Sequence, residues 1–188
     1  MDWVLKLVRV AGVTNPFTAP FVQLQAEIES VEVEKRLTKL ENPISQLHDD
    51  VVDIAKKIYD ELQKNDSVNL SFEETFYNTY RRGLTALSNK NLISLENILG
   101  VATPLQINLT EPSFIMYMCA SFEDPEKMKK VVDLVDSCKM GETIDAVELS
   151  QNITLPKYVI RAVFQIYESN GFGFCTGGHT KLRYQGKA

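Results

Sequence analysis

The chain is poor in the residues that carry most enzyme chemistry. Its 188 residues include three cysteines, two histidines and one tryptophan. Cys119, Cys138 and Cys175 are odd in number and widely spaced, so they make a poor disulfide framework. No CxxC pair is present, so no zinc spacing is legible. Sparse, isolated thiols fit a reducing cytoplasm, which is the expected location. Long apolar runs are also missing, and a bilayer span needs roughly 20 residues. "SFIMYMCASF" (Ser113–Phe122) comes nearest and reads as a buried core helix. "MDWVLKLVRVAG" contains Asp2 and has no small-residue cleavage site, so no signal peptide is expected.

Motifs of catalysis are lacking too. There is no HExxH, no nucleophile elbow and no paired-carboxylate motif. "GFGFCTGGH" is glycine-rich, but no GxxxxGK[ST] follows and no helix opens after it to hold an anion. Gly177-Gly178 reads instead as a two-residue hairpin turn. That pairing sets Cys175 opposite Thr180 and sends the Cys175 and His179 side chains to opposite faces. His48, beside Asp49 and Asp50, reads as part of a solvated helix face. No enzyme activity, cofactor or metal is therefore expected.

Hydrophobic residues make up 44% of the chain and charged residues 24%, as in a folded globular protein. Charge is distributed unevenly. Residues 1–154 carry 15 Lys+Arg against 24 Asp+Glu, and residues 155–188 carry five against one. A nucleic-acid footprint would therefore fall at the C-terminal end.

Three segments emerge along the chain. Residues 1–41 form a helical arm, with Leu24, Ile28 and Val31 and then Val33, Leu37 and Leu40 on one stripe. The arm is read either as a dimerising coiled coil or as a helix packed on its own domain. Residues 42–122 form a central helical segment. Asn42-Pro43 predicts a helix to Gln63, with Val51, Val52, Ile54, Ala55, Ile58, Tyr59 and Leu62 inward. Ser71 and Glu74 predict a capping box for one long helix through "FEETFYNTYRRGLTALSNKNLI", and "PLQINLT" alternates like a strand. Residues 123–188 form the third segment. Asp124-Pro125 opens a helix whose apolar side is Met128, Val131, Val132, Leu134 and Val135.

The third segment continues with a short helix capped by Thr143, then "ITLP", then a helix over roughly Pro156–Ser169. That helix stops at Asn170-Gly171, and a hairpin follows. Leu149, Ser150, Ile153, Leu155, Ile160, Phe164, Tyr167 and Gly171 match the core spacing of the winged helix-turn-helix superfamily. The segment resembles that family, and the match covers about a third of the chain. The turn position where the family often has glycine is Thr154 here, which disfavours positive φ and predicts a different turn. Offset by 79 residues, Arg82, Leu84, Leu87 and Asn91 echo Arg161, Val163, Ile166 and Asn170, a weaker second copy with exposed Arg81, Arg82 and Lys90.

The resemblance implies a mostly helical α+β fold with small β-hairpins, and a third helix that enters a DNA groove beside a basic wing. The candidate DNA-binding residues are Lys157, Tyr158, Arg161 and Gln165 on the helix. His179, Lys181 and Arg183 share one face of the hairpin strand, with Leu182 and Tyr184 on the other. The expected function is a DNA-binding regulator, dimerised through its arm, with double-stranded DNA as partner. The alternative is a non-enzymatic adaptor whose winged helices dock proteins.

Overall fold

The computed structural model describes residues 47–122 and 125–186. The arm and its stripe of Leu24, Ile28, Val33, Leu37 and Leu40 lie outside the described residues. Within them the protein is mixed α and β, with seven helices and two three-stranded antiparallel sheets.

The first half runs α1 (Val51–Asn65), β1 (Asn69–Leu70), α2 (Glu74–Thr79), α3 (Arg81–Asn89), β2 (Ser94–Glu96) and β3 (Gln106–Asn108). Helix α4 (Pro112–Phe122) follows. The second half runs α5 (Pro125–Ser137), β4 (Thr143–Asp145), α6 (Ala146–Ile153), α7 (Lys157–Ser169), β5 (Gly173–Thr176) and β6 (Lys181–Tyr184). The element order is the same in both halves. So is the sheet order, β1-β3-β2 in one and β4-β6-β5 in the other. Each sheet carries a matching cross-strand row, Leu70–Ile107–Leu95 and Ile144–Leu182–Cys175.

Sequence patterning explains most elements. On α1, Val51, Ile54, Ala55, Ile58, Tyr59 and Leu62 form one buried face, while Val52 is only partly covered. On α4, Phe114 to Cys119 are all buried. That helix packs on α1 on one side and on α7 on the other, so one continuous core joins the halves. Burying apolar surface on every side needs a helix that is apolar all round, as α4 is.

Several boundaries differ from expectation. Helix α1 starts at Val51, with Asp50 at its N-cap, rather than at Asn42-Pro43, a pair outside the described residues. The capping box does not form: Glu73 is the N-cap of α2, without a side-chain bond. The expected long helix is two helices, broken at Tyr80 (φ −103°, ψ 17°). Phe72 stacks on Phe76, Tyr77 meets both rings edge-on, and the Tyr80 hydroxyl donates to Asp53 on α1. Gly83 on α3 abuts Ile54 with no room for a Cβ. These anchors fix α2 and α3 independently, which a straight helix could not satisfy. Thr143 is a strand residue, and Asp145 caps α6 by accepting from the Val147 N–H at 2.8 Å. Leu134 faces out, 44% exposed, because the core side of α5 is already filled by Met128, Val131, Val132 and Val135.

The turn between α6 and α7 corrects another expectation. Thr154 adopts the left-handed conformation despite its β-branch, with φ 58°. Its N–H closes α6 on the Ser150 carbonyl at 3.0 Å. The Ser150 hydroxyl crosses the turn to the Leu155 carbonyl at 2.6 Å. Together these bonds hold a conformation that threonine disfavours.

Candidate nucleic-acid interface

Helix α7 and the β5–β6 hairpin sit side by side and present the candidate residues. The helix buries Val159, Ile160, Val163, Phe164, Ile166 and Tyr167. Lys157, Arg161 and Gln165 follow at intervals of four, so they share the opposite face. All three are half-buried rather than free in solvent. The Lys157 ammonium lies 5.1 Å from the Tyr158 ring centre, and the Arg161 guanidinium lies 4.6 Å from it. Tyr158 thus organises both cations. Arg161 Nε is buried and has no hydrogen-bond partner. On β6, Lys181 and Arg183 are exposed while Leu182 and Tyr184 are buried. That alternation is the expected one.

Acidic residues answer this cationic face. Lys157 Nζ is 3.0 Å from Asp66 Oδ2, an acid at the C-terminal end of α1. Lys181 Nζ is 3.7 Å from Asp145 Oδ2. Arg183 lies 6.0 Å from the Phe174 ring centre. No local sequence signal links Lys157 to Asp66, since tertiary packing alone joins them. The Asp145–Lys181 pair follows from the β4–β6 register, which aligns those two residues. Surface pairs such as Lys181–Asp145, and part-buried ones such as Lys157–Asp66, contribute about 0–1 kcal/mol, so a phosphate group can compete for either lysine.

His179 departs from the expected strand face. The hairpin pairs Thr176 with Lys181 and Cys175 with Leu182, so residues 177–180 form a four-residue turn. Cys175 is therefore not opposite Thr180. Gly177 and Gly178 both take positive φ, and His179 follows at φ 63°. Three consecutive left-handed residues curl the turn back over the end of α7. There His179 Nδ1 comes within 3.3 Å of Glu168 Oε2, without making a well-directed hydrogen bond. Glu168 Oε1 accepts the Cys175 N–H at 2.7 Å. The ligand atoms of Glu168, Cys175 and His179 all fall within 4.8 Å of one another. The expected separation of Cys175 from His179 is thus overturned, because a four-residue turn replaces the two-residue one. Burial, and then the Glu168 carboxylate, push the Cys175 thiol up to about 12.

In the first half, Arg81 and Arg82 at the start of α3 and Lys90 at its C-cap are exposed, as expected. The β2–β3 connection there spans residues 97–105 and carries exposed Ile98, Leu99, Val101 and Leu105. No helix among the described residues is long and apolar enough to cross a membrane. Comparison with protein-family models, with curated proteins and with solved structures gives no match for this chain.

Proposed function

We propose that this chain is a DNA-binding regulator built from two winged-helix units, reading duplex DNA with the second. The observation that carries this reading is the pairing of a cation-bearing third helix with a cation-bearing hairpin in a unit of order α-β-α-α-β-β. In this reading α7 enters the major groove, where Arg161 and Gln165 reach base edges. Lys157, Lys181 and Arg183 meet phosphates, and the hairpin is the wing. Tyr158 sets the directions of Lys157 and Arg161. His179 has no phosphate contact in this reading, because it turns toward Glu168. The sparse thiols favour a reducing cytoplasm.

Fluorescence anisotropy with a labelled duplex at low salt tests the proposal. Binding should be lost in the double variant Lys181→Glu/Arg183→Glu, whose side chains are both exposed. Arg161→Glu is a poorer probe, because Arg161 is half-buried against Tyr158. Unchanged affinity in the Lys181/Arg183 double variant would rule out this face as the contact surface.

We also propose that the arm dimerises the chain through Leu24, Ile28, Val33, Leu37 and Leu40. Light scattering should give a dimer for the full chain and a monomer for Ile28→Asp/Leu37→Asp. A monomeric full chain would sink this part.

A second reading is a protein-docking adaptor. It is favoured by the apolar 97–105 loop, where Leu99 is fully exposed, since contiguous exposed apolar surface commonly marks an interaction site. Absence of any duplex binding at low salt would give it precedence.

A further inference from the structure

We infer that Glu168, Cys175 and His179 form a binding site for a divalent transition metal of the zinc class, clasping the β5–β6 hairpin to the end of α7. The inference is independent of whether the chain binds DNA. It starts from convergence. Residues from the last turn of a helix, from a strand and from a turn bring a carboxylate, a thiol and an imidazole within 4.8 Å. Ligand atoms around one tetrahedral zinc stand about 3.3–3.8 Å apart, from bond lengths of about 2.0–2.3 Å. The Glu168–His179 pair already meets that spacing at 3.3 Å. Small side-chain rotations bring in the sulfur.

The surroundings are prepared for such a role. Glu168 Oε1 is held by the Cys175 N–H, which fixes the carboxylate and leaves Oε2 to face His179. A hydrogen bond of this kind typically orients a metal ligand. His179 Nδ1 is buried and lacks a hydrogen-bond partner. His179 also sits at φ 63°, a conformation that a non-glycine residue adopts at a cost. The donor set decides the metal class. A thiolate and an imidazole select a borderline or soft ion over magnesium or calcium. Three protein ligands leave a fourth position for water or a partner's donor atom. A bound metal would displace the Cys175 thiol proton to a base in solution.

Titration of the full chain with cobalt(II), a spectroscopic stand-in for zinc, tests the site. A thiolate-to-cobalt charge-transfer band in the near ultraviolet should saturate at one equivalent. Zinc should abolish it by competition. The band should persist in Cys138→Ser and vanish in Cys175→Ser, with circular dichroism reporting whether that variant folds. Glu168→Gln and His179→Asn should each weaken cobalt binding by at least about tenfold; asparagine tolerates the left-handed backbone. No band in the native chain would overturn the site, as would an undiminished band in a folded Cys175→Ser. If Cys175→Ser fails to fold, unchanged affinity in both other variants would overturn it equally.

Discussion

Thr154 shows how a single residue can be held against its own preference. A left-handed backbone costs an L-residue roughly 1–2 kcal/mol, and the Ser150 and Leu155 hydrogen bonds around the turn offset that cost. Thr154→Gly should relieve it. Glycine loses roughly 0.5–1 kcal/mol through its freer unfolded chain, so the expected net gain is about 0.5–1 kcal/mol, read as a higher urea midpoint. A lower midpoint would mean that the threonine side chain contributes packing beyond the backbone. Two buried tyrosines make a separate case. Burial pushes Tyr117 from 10.0 up to about 12, partly countered by a hydrogen bond with Ser121. Burial and a 2.6 Å hydrogen bond to Asp136 raise Tyr167 as well. Between pH 10 and about 12 the unfolded chain releases protons that the folded chain keeps. The contribution of these two tyrosines is therefore intact below pH 10 and falls as pH rises through that window. Tyr117 alone should account for about 1 kcal/mol of the fall between pH 9 and pH 11. Urea unfolding at pH 9 and pH 11 would measure it, and Tyr117→Phe should shrink the difference without abolishing it, because Tyr167 and Cys175 still titrate. Equal midpoints at both pH values would contradict the burial account.

At the scale of elements, the sheet registers set where side chains go. Gly173 opens β5 directly against its neighbour strand. A Cβ there would lie 2.7 Å from the Arg183 carbonyl oxygen and 2.9 Å from Leu182 Cδ1. Gly173→Ala should therefore push β5 off β6 and cost about 1–3 kcal/mol, measured by chemical denaturation. An unchanged midpoint would show that the hairpin tolerates displacement. Much of this architecture is legible in the sequence. The buried face of α1, the all-round apolar α4, the bounds of α7 and the alternation of β6 follow from periodicity. The echo between Arg82–Asn91 and Arg161–Asn170 falls on α3 and α7, the third helices of the two halves. Other features lie beyond local pattern. The break at Tyr80 depends on a hydroxyl that reaches Asp53 across to another helix. The hairpin turn differs from the two-residue expectation because Gly177-Gly178 fits a two-residue turn as well as the first half of a four-residue one. That one difference moves His179 from the Lys181/Arg183 face to Glu168. Glu168 itself shows nothing in sequence beyond an ordinary polar helix residue.

For the whole molecule, the governing feature is a cationic face on an acidic body. The formal net charge is −5, while residues 155–188 hold five Lys+Arg against one acid. The fold then brings acids from elsewhere onto that face, Asp66 from α1 and Asp145 from the start of α6. Lys157 and Lys181 are thus paired with internal anions, which a phosphate would have to displace on the proposed reading. On the proposed reading, these pairs would act as a graded brake on DNA affinity that can be released without adding a positive charge. Asparagine suits both acidic positions. At 145 it retains the helix cap, and at 66, where φ is 44°, it tolerates the left-handed backbone.

The central claim, that duplex DNA meets Lys157 and Lys181, is tested most directly by the duplex affinity of Asp66→Asn/Asp145→Asn across a salt series. The control is Asp49→Asn/Asp60→Asn, which changes net charge equally at acids that are not ion-paired to a candidate residue. Freed of two pairs worth about 0–1 kcal/mol each, the double variant should bind about three- to tenfold more tightly than the native chain at low salt. The control should gain less. All affinities should fall linearly on a log–log salt plot, by about 0.9 in slope for each phosphate engaged. Equal affinities for the two double variants, or no salt-dependent binding by any of the proteins, would contradict the account.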